Sequence, residues 1–302
     1  MELIKRDINI DFLGKRKQAY FFSMLLIAIG LISLIAHGGP KFGLDFTGGA
    51  QVEINFEQPE SIGDIRDALS SIDLGTSEIK PFGSPDEILI TTKQMEEITH
   101  VADTLTIVLQ KYFPNNTIVI TRSETVGPRI GEELRNKAVL SIGIALLLLI
   151  IYISWRFEFK FAIGAIVALI HDVFITIGAF SVFDKEITLP IVASLLTIVG
   201  YSLNDTIVVS DRIRENLKLL RREAFNIIIN RSLNQTLSRT IITSLTTLVV
   251  VVILYISGSE IIKDFSFALI IGVSIGTYSS IFVAIPIVVA YNEWQERKKR
   301  KR

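Results

Sequence analysis

The sequence contains no cysteine. Disulfides and thiolate metal sites are therefore excluded, and the chain carries no mark of its redox compartment. Histidine is scarce, with three residues at His37, His100 and His171. They stand too far apart to suggest a histidine metal centre. A phosphate-cradling glycine loop, a nucleophile beside a general base and a cluster of metal-ligating side chains are all missing. These absences argue against ATP hydrolysis or other enzymatic chemistry by this chain, and they leave no cofactor or metal to be placed. An excess of one charge is missing too, because 31 Lys and Arg balance 31 Asp and Glu across 302 residues. Nothing in the net charge points to nucleic acid.

Apolar residues are what the chain has in quantity, 49% of all positions, with a mean hydropathy of +0.47. A bilayer core ~30 Å thick needs about 20 apolar residues of helix. Six stretches meet that need, at residues 18–37, 138–155, 161–182, 189–210, 239–258 and 265–290. The first lacks a small-residue cleavage site and reads as a retained anchor. The last contains Pro286 and is expected to kink or tilt. Pro190 falls at the start of its helix, where a missing N–H costs little.

The basic residues beside these stretches set the expected orientation. Lys5, Arg6, Lys15, Arg16 and Lys17 precede the first, and Arg156 and Lys160 follow the second. Arg212, Arg214, Lys218, Arg221, Arg222 and Arg231 lie in the segment 211–238, and residues 297–302 are all basic. The two short connections on the other side hold only Lys185 and Lys263. Six crossings put every basic segment on one face, so residues 1–17 and the basic tail 291–302 are expected in the cytoplasm. A basic run beside a final span fits topology and anionic-lipid contact better than nucleic acid.

Residues 38–137 differ in kind. They are polar, with 9 Lys and Arg against 16 Asp and Glu, a net charge of −7. AQVEINF (50–56) alternates apolar and polar residues like a half-buried strand. Ile62, Ile65, Leu69 and Ile72 recur at helical spacing behind a capping-box-like start at Ser61 and Asp64. SEIKPF and EILITT read as strands around a Gly83-Ser84-Pro85-Asp86 turn. A helix from Glu96 to Tyr112 and a strand over TIVITRSETV complete a β-α-β-β-α-β order. The expected architecture is thus a polytopic α-helical membrane protein with six transmembrane helices and one ferredoxin-like α+β extracytoplasmic domain.

Two charges interrupt the apolar stretches most tellingly. Asp205 lies in LPIVASLLTIVGYSLNDTIVVS and Arg239 opens RTIITSLTTLVVVVILYISG. A charge at the centre of a bilayer helix costs about 2.5–3.5 kcal/mol on insertion scales, so such residues tend to be paired and functional. Thr197, Tyr201 and Asp205 fall four apart on one helix face, and Arg239, Thr243 and Thr246 or Thr247 form a similar stripe. One reading is a static salt bridge that fixes helix register. The other is an acid that cycles a proton while arginine, always charged, tunes it. Asp172, beside His171, is either a further pathway residue or a carboxylate hydrogen-bonded to a neighbouring helix. Gly272 and Gly276 form a small-xxx-small pattern suited to close helix contact.

Four segments, FGLDFTGGAQVEI (42–54), VGPRIGEEL (126–134), VGYSLNDTIVVSDRIREN (199–216) and LSRTIITSLTT (237–247), resemble motifs of the SecF family. That family, within the resistance–nodulation–division superfamily, supplies the smaller subunit of the bacterial SecD–SecF complex. The resemblance runs through nearly the whole chain. It implies an inner-membrane subunit that acts with SecD beside the SecYEG channel and uses the proton motive force to complete preprotein translocation. It assigns Asp205 and Arg239 to the proton pathway. It maps a DFxGG motif to Asp45, Phe46, Gly48 and Gly49, whose glycines suit a tight turn or a hinge.

Two other functions are compatible with the same residues. A half-transporter of the same superfamily would export small molecules or lipids, although such proteins usually carry larger outer domains. A non-conducting scaffold would use Asp205 and Arg239 only to lock helices. Six helices are few for a complete pathway, and a partner of like topology would supply the rest.

Overall fold

A computed structural model describes residues 9–92, 101–156 and 158–300. It divides into two compact units, Met1–Lys41 with Ser141–Arg302, and Phe42–Leu140.

The unit Phe42–Leu140 opens with a single helical turn, α2 (Leu44–Thr47), that runs into β1 (Gly49–Phe56). There follow α3 (Ile62–Ser70), β2 (Glu78–Phe82), β3 (Ser84–Thr92), α4 (Val101–Tyr112) and β4 (Ile118–Val126). The strands form one antiparallel sheet in the order β2-β3-β1-β4. Alternation in β1 sends Ala50, Val52, Ile54 and Phe56 to a fully buried face, as the period of two requires. Ile65 and Leu69 of α3 and Leu105 and Leu109 of α4 cover that face. The Ser61 hydroxyl accepts from the Asp64 backbone N–H at 3.1 Å and caps α3. The helix expected from Glu96 starts outside the described residues. The expected four-residue turn is tighter than its sequence suggests. The chain reverses at Gly83, whose φ of +84° only glycine adopts freely, and Ser84–Asp86 already belong to β3.

Among the described residues, six helices are long and apolar enough to cross a membrane. They are α1 (Arg16–Ala36), α5 (Pro128–Arg156), α6 (Phe159–Val182), α7 (Leu189–Leu219), α8 (Phe225–Ser257) and a last helix in two parts, α9 (Glu260–Ser279) and α10 (Ile285–Arg300). A π-turn at Ser280–Ala284 joins those parts. Pro286 has no N–H for the carbonyl four residues back, so the ladder shifts at the position where a kink was expected. α7 and α8 run well past their apolar stretches, and the segment read as a loop at 211–238 is mostly helix. Polar side chains join the extensions, with Asn216 Nδ2 donating to Ser232 Oγ at 2.8 Å and to Gln235 Oε1 at 2.7 Å.

α9 packs against α6, α7 and α8. Its glycines allow this closeness. A Cβ at Gly272 would meet Ile198 Cδ1 at 2.2 Å, and one at Gly276 would meet Ser202 Cβ at 3.0 Å. The segment before α1 is held by α8. Asn234 accepts from the Ile10 N–H at 2.8 Å and donates to the Ile10 carbonyl at 2.9 Å. Asn230 does the same for the Phe12 N–H and the Ile10 carbonyl. This places Phe12 in the core beside Ile153, Phe161 and Leu233.

Candidate functional site

Asp205 is 2% exposed, and its Oδ2 accepts no hydrogen bond from the protein. One turn earlier on α7 the Tyr201 hydroxyl is buried without a partner, and so is Thr240 Oγ1 on α8. An unsatisfied buried polar atom costs about 1–3 kcal/mol. Three such atoms on two packed helices, one of them on a carboxylate, mark this as a candidate polar site.

Arg239 stands beside Thr240 on an exposed face of α8. It is close enough for its charge to act on Asp205. Among the described residues, however, neither side chain makes an ion pair within 4 Å. The static salt bridge is thus not formed, because α8 turns Arg239 outward while α7 turns Asp205 inward. The expected stripe on α7 also divides. Thr197 is exposed, Tyr201 half-buried and Asp205 buried. Steps of four residues drift about 40° each around a helix, so three such positions span two sides. The hydroxyls expected to relay protons fold back on their own helices instead. Thr197 donates to the Ala193 carbonyl, Thr243 to that of Arg239, Thr246 to that of Ile242 and Thr247 to that of Thr243.

Asp172 has the opposite environment. It is 1% exposed and fully engaged. Its Oδ2 accepts from Ser202 Oγ of α7 at 2.6 Å and from Ser279 Oγ of α9 at 2.7 Å. Its Oδ1 lies 2.8 Å from His171 Nδ1. His171 Nε2 continues to Ser23 Oγ of α1 at 3.1 Å, and Ser23 to the Tyr278 hydroxyl at 3.0 Å. One carboxylate therefore ties together α1, α6, α7 and α9. Sequence reasoning named Asp172 and His171 but missed Ser23, Ser202, Thr240, Tyr278 and Ser279. Ser202 carried a signal, lying three residues before Asp205 on an apolar helix; a lone serine or tyrosine elsewhere carried none.

The DFxGG residues form α2 and its exit. Phe46 is buried, Asp45 half-buried, and Gly48 and Gly49 have φ of +70° and +135°. A Cβ at Gly48 would meet Pro128 Cα at 2.7 Å. A Cβ at Gly131 would meet Gly48 N at 2.9 Å. The register of β1 on β4, with Gly49 opposite Val126, brings these two motifs together. Among the described residues, no three His, Asp or Glu side chains gather as a metal site.

Comparison with known proteins places this geometry in a family. Residues 105–294 match the C-terminal model of the SecD/SecF protein export membrane proteins, and residues 33–60 match the SecD/SecF GG motif. The protein translocase subunit SecF of Calditerrivibrio nitroreducens is 45% identical over 301 residues, covering 98% of this chain and 99% of that one. The same subunit from Magnetococcus marinus is 44% identical, covering 99% and 97%. The crystal structure of SecDF from Thermus thermophilus, a translocon-associated membrane protein, superposes with a TM-score of 0.85 at 37% identity over 96% of this chain. This chain spans only 40% of that SecDF chain. With six apolar helices, a small antiparallel sheet unit and full-length relatives of one name, the chain is a multi-pass membrane protein that belongs to the SecF family of protein translocase subunits.

Proposed function

We propose that this chain is a proton-motive-force-coupled accessory subunit of Sec protein export. It acts with SecD, beside the SecYEG channel, to complete preprotein translocation across the bacterial inner membrane. The observation that carries the reading is the buried, incompletely satisfied Asp205 carboxylate beside an arginine that does not pair with it. A locking salt bridge would be closed; a proton carrier needs a carboxylate that can change state. Inward movement of one proton supplies about 2.3 kcal/mol per 100 mV, enough to bias a two-state helix arrangement.

The open sides of α7 and α8 support a SecD partner. Thr197, Gly200, Asn204 and Arg239 are exposed on helices that otherwise suit lipid. Polar residues facing hydrocarbon are costly, so a second helical bundle belongs there. The SecDF structure, in which a chain like this one is part of a longer protein, fits that arrangement. The basic bias supports cytoplasmic termini, 1–17 and 291–302, and an extracytoplasmic domain at 38–137 between the spans at 18–37 and 138–290. The β2-β3-β1-β4 order with β-α-β-β-α-β connectivity supports a ferredoxin-like assignment for that domain. Arg297–Arg300 in the last turn of α10 supply contact with anionic lipids, about 1 kcal/mol for each charge near the surface.

The test is release of a pulse-labelled secreted protein from cells depleted of this chain and then supplied with wild-type or Asp205→Asn protein at matched levels. Co-purification of SecD reports folding. Slow release with an assembled variant is the expected result. Full release with an assembled variant rejects Asp205 as the carrier.

A further inference from the structure

The hydrogen bonds around His171 and Asp172 specify where protons sit. The Tyr278 hydroxyl lies 2.6 Å from the Ala19 carbonyl, which can only accept, so tyrosine's single proton points there. The 3.0 Å contact between Tyr278 and Ser23 must then be donated by serine. With its own proton committed, Ser23 Oγ can only accept from His171 Nε2, which therefore carries a hydrogen. A neutral imidazole protonated at Nε2 has a bare Nδ1. A bare nitrogen cannot face an ionised carboxylate oxygen at 2.8 Å, and Ser202 and Ser279 both donate to Oδ2, so neither supplies a proton on the Oδ1 side. One more proton must lie between Nδ1 and Oδ1.

We infer that His171 and Asp172 form a proton-binding site inside this chain, shown in its loaded state, whose occupancy is coupled to the contact between α9 and α1. The loaded pair holds two protons, one on Nε2 and one shared with Asp172. Loss of one leaves Nδ1–H donating to an ionised Asp172 and a bare Nε2. The Ser23 hydroxyl then turns from Tyr278 toward Nε2. Tyr278 can no longer serve both Ala19 and Ser23, so one link from α9 to α1 is lost. The surroundings suit a switch of this kind. α1 presents Ser23, α7 presents Ser202, and α9 presents Ser279 and Tyr278, whose ring stacks on His171 at 6.2 Å between centroids. Among the described residues, no other charged group pairs with His171 or Asp172, and Tyr278 is the other titratable group in contact. The site is separate from Asp205 and needs no partner chain to complete it.

Because the chain has three histidines, nitrogen NMR can read this site directly. The full chain is labelled with 15N-imidazole, reconstituted in lipid vesicles at pH 7, and His171 is assigned by its loss in His171→Gln. The expected spectrum shows a protonated Nε2 and an Nδ1 that is protonated or hydrogen-bonded to an acid proton. The unloaded pair would instead show the tautomer with bare Nε2. Tyr278→Phe frees the Ser23 proton and is expected to give that tautomer already at pH 7. A bare Nε2 in the wild type at pH 7, a bare and unbonded Nδ1, or a Tyr278→Phe spectrum like the wild type's would overturn the assignment. The wild-type spectrum decides even where the variant does not fold. The readout involves no export, so its failure is distinct from a failure of the Asp205 reading.

Discussion

Replacing Gly48 by alanine should be among the more damaging single-methyl changes in the sheet unit. Two costs combine at this residue. Its φ of +70° lies in the left-handed region, where a residue with a Cβ costs about 1–2 kcal/mol more. The added methyl would also lie 2.7 Å from Pro128 Cα and 2.9 Å from Pro128 N. Those are backbone atoms at the start of α5 and cannot rotate away, so overpacking adds about 1–3 kcal/mol. The total is about 2–5 kcal/mol. Gly83→Ala separates the two costs within the same unit. Its φ is +84°, but its Cβ would meet only the Glu87 Oε2 atom, the far end of a half-buried side chain that can swing aside. Only the conformational cost of about 1–2 kcal/mol should remain. Calorimetry of the full chain in detergent reads the difference. For a unit of about 100 residues each kcal/mol moves the midpoint about 4–8 °C, so Gly48→Ala should lower it by at least about 8 °C and Gly83→Ala by clearly less. Equal shifts for the two variants would refute the claim that the two glycine motifs are in backbone contact.

Three further outcomes follow from the membrane unit. Asp172→Ala leaves Ser202, Ser279 and His171 without their partner and should cost about 3–5 kcal/mol in detergent thermal unfolding, whereas Asp172→Asn keeps an acceptor oxygen and should cost less. Asn234→Ala removes two of the three side-chain bonds to Ile10 and should cost about 1–2 kcal/mol, seen as faster amide exchange at Ile10; unchanged exchange would mean that Asn230 and Phe12 burial hold the segment without it. A Cβ at Gly200 would meet nothing within 4 Å, and Gly200→Leu improves helix propensity by up to about 1 kcal/mol. It should leave the isolated chain folded and abolish co-purification with SecD; retained co-purification would place the partner elsewhere.

Much of the architecture is legible in the residues because hydropathy and alternation are local signals. The apolar stretches set six helices, and the period of two in β1 sets a one-sided sheet. The helix ends are less legible. Arg212, Asn216 and Gln235 read as polar loop, yet they bond across two helices that continue past the apolar stretches. Asp205 stands out because a charge in an apolar run is rare. Its relation to Arg239 does not, since the rotation of one helix against another is set by packing such as Gly276 on Ser202 and not by hydropathy. The Asp172 network was half legible for the same reason. Its charge was visible, while its partners come from three other helices. The meeting of the two glycine motifs rests on the register of β1 and β4, a long-range pairing that no local pattern encodes.

The most direct test of proton coupling is uptake itself. The chain would be reconstituted with SecD in vesicles carrying an internal pH dye, and an inward potential of about 100 mV imposed, worth about 2.3 kcal/mol per proton. The wild-type complex should acidify the interior. The Asp205→Asn complex, assembled to the same level, should not. Equal acidification by both would contradict the assignment of Asp205 as the carrier.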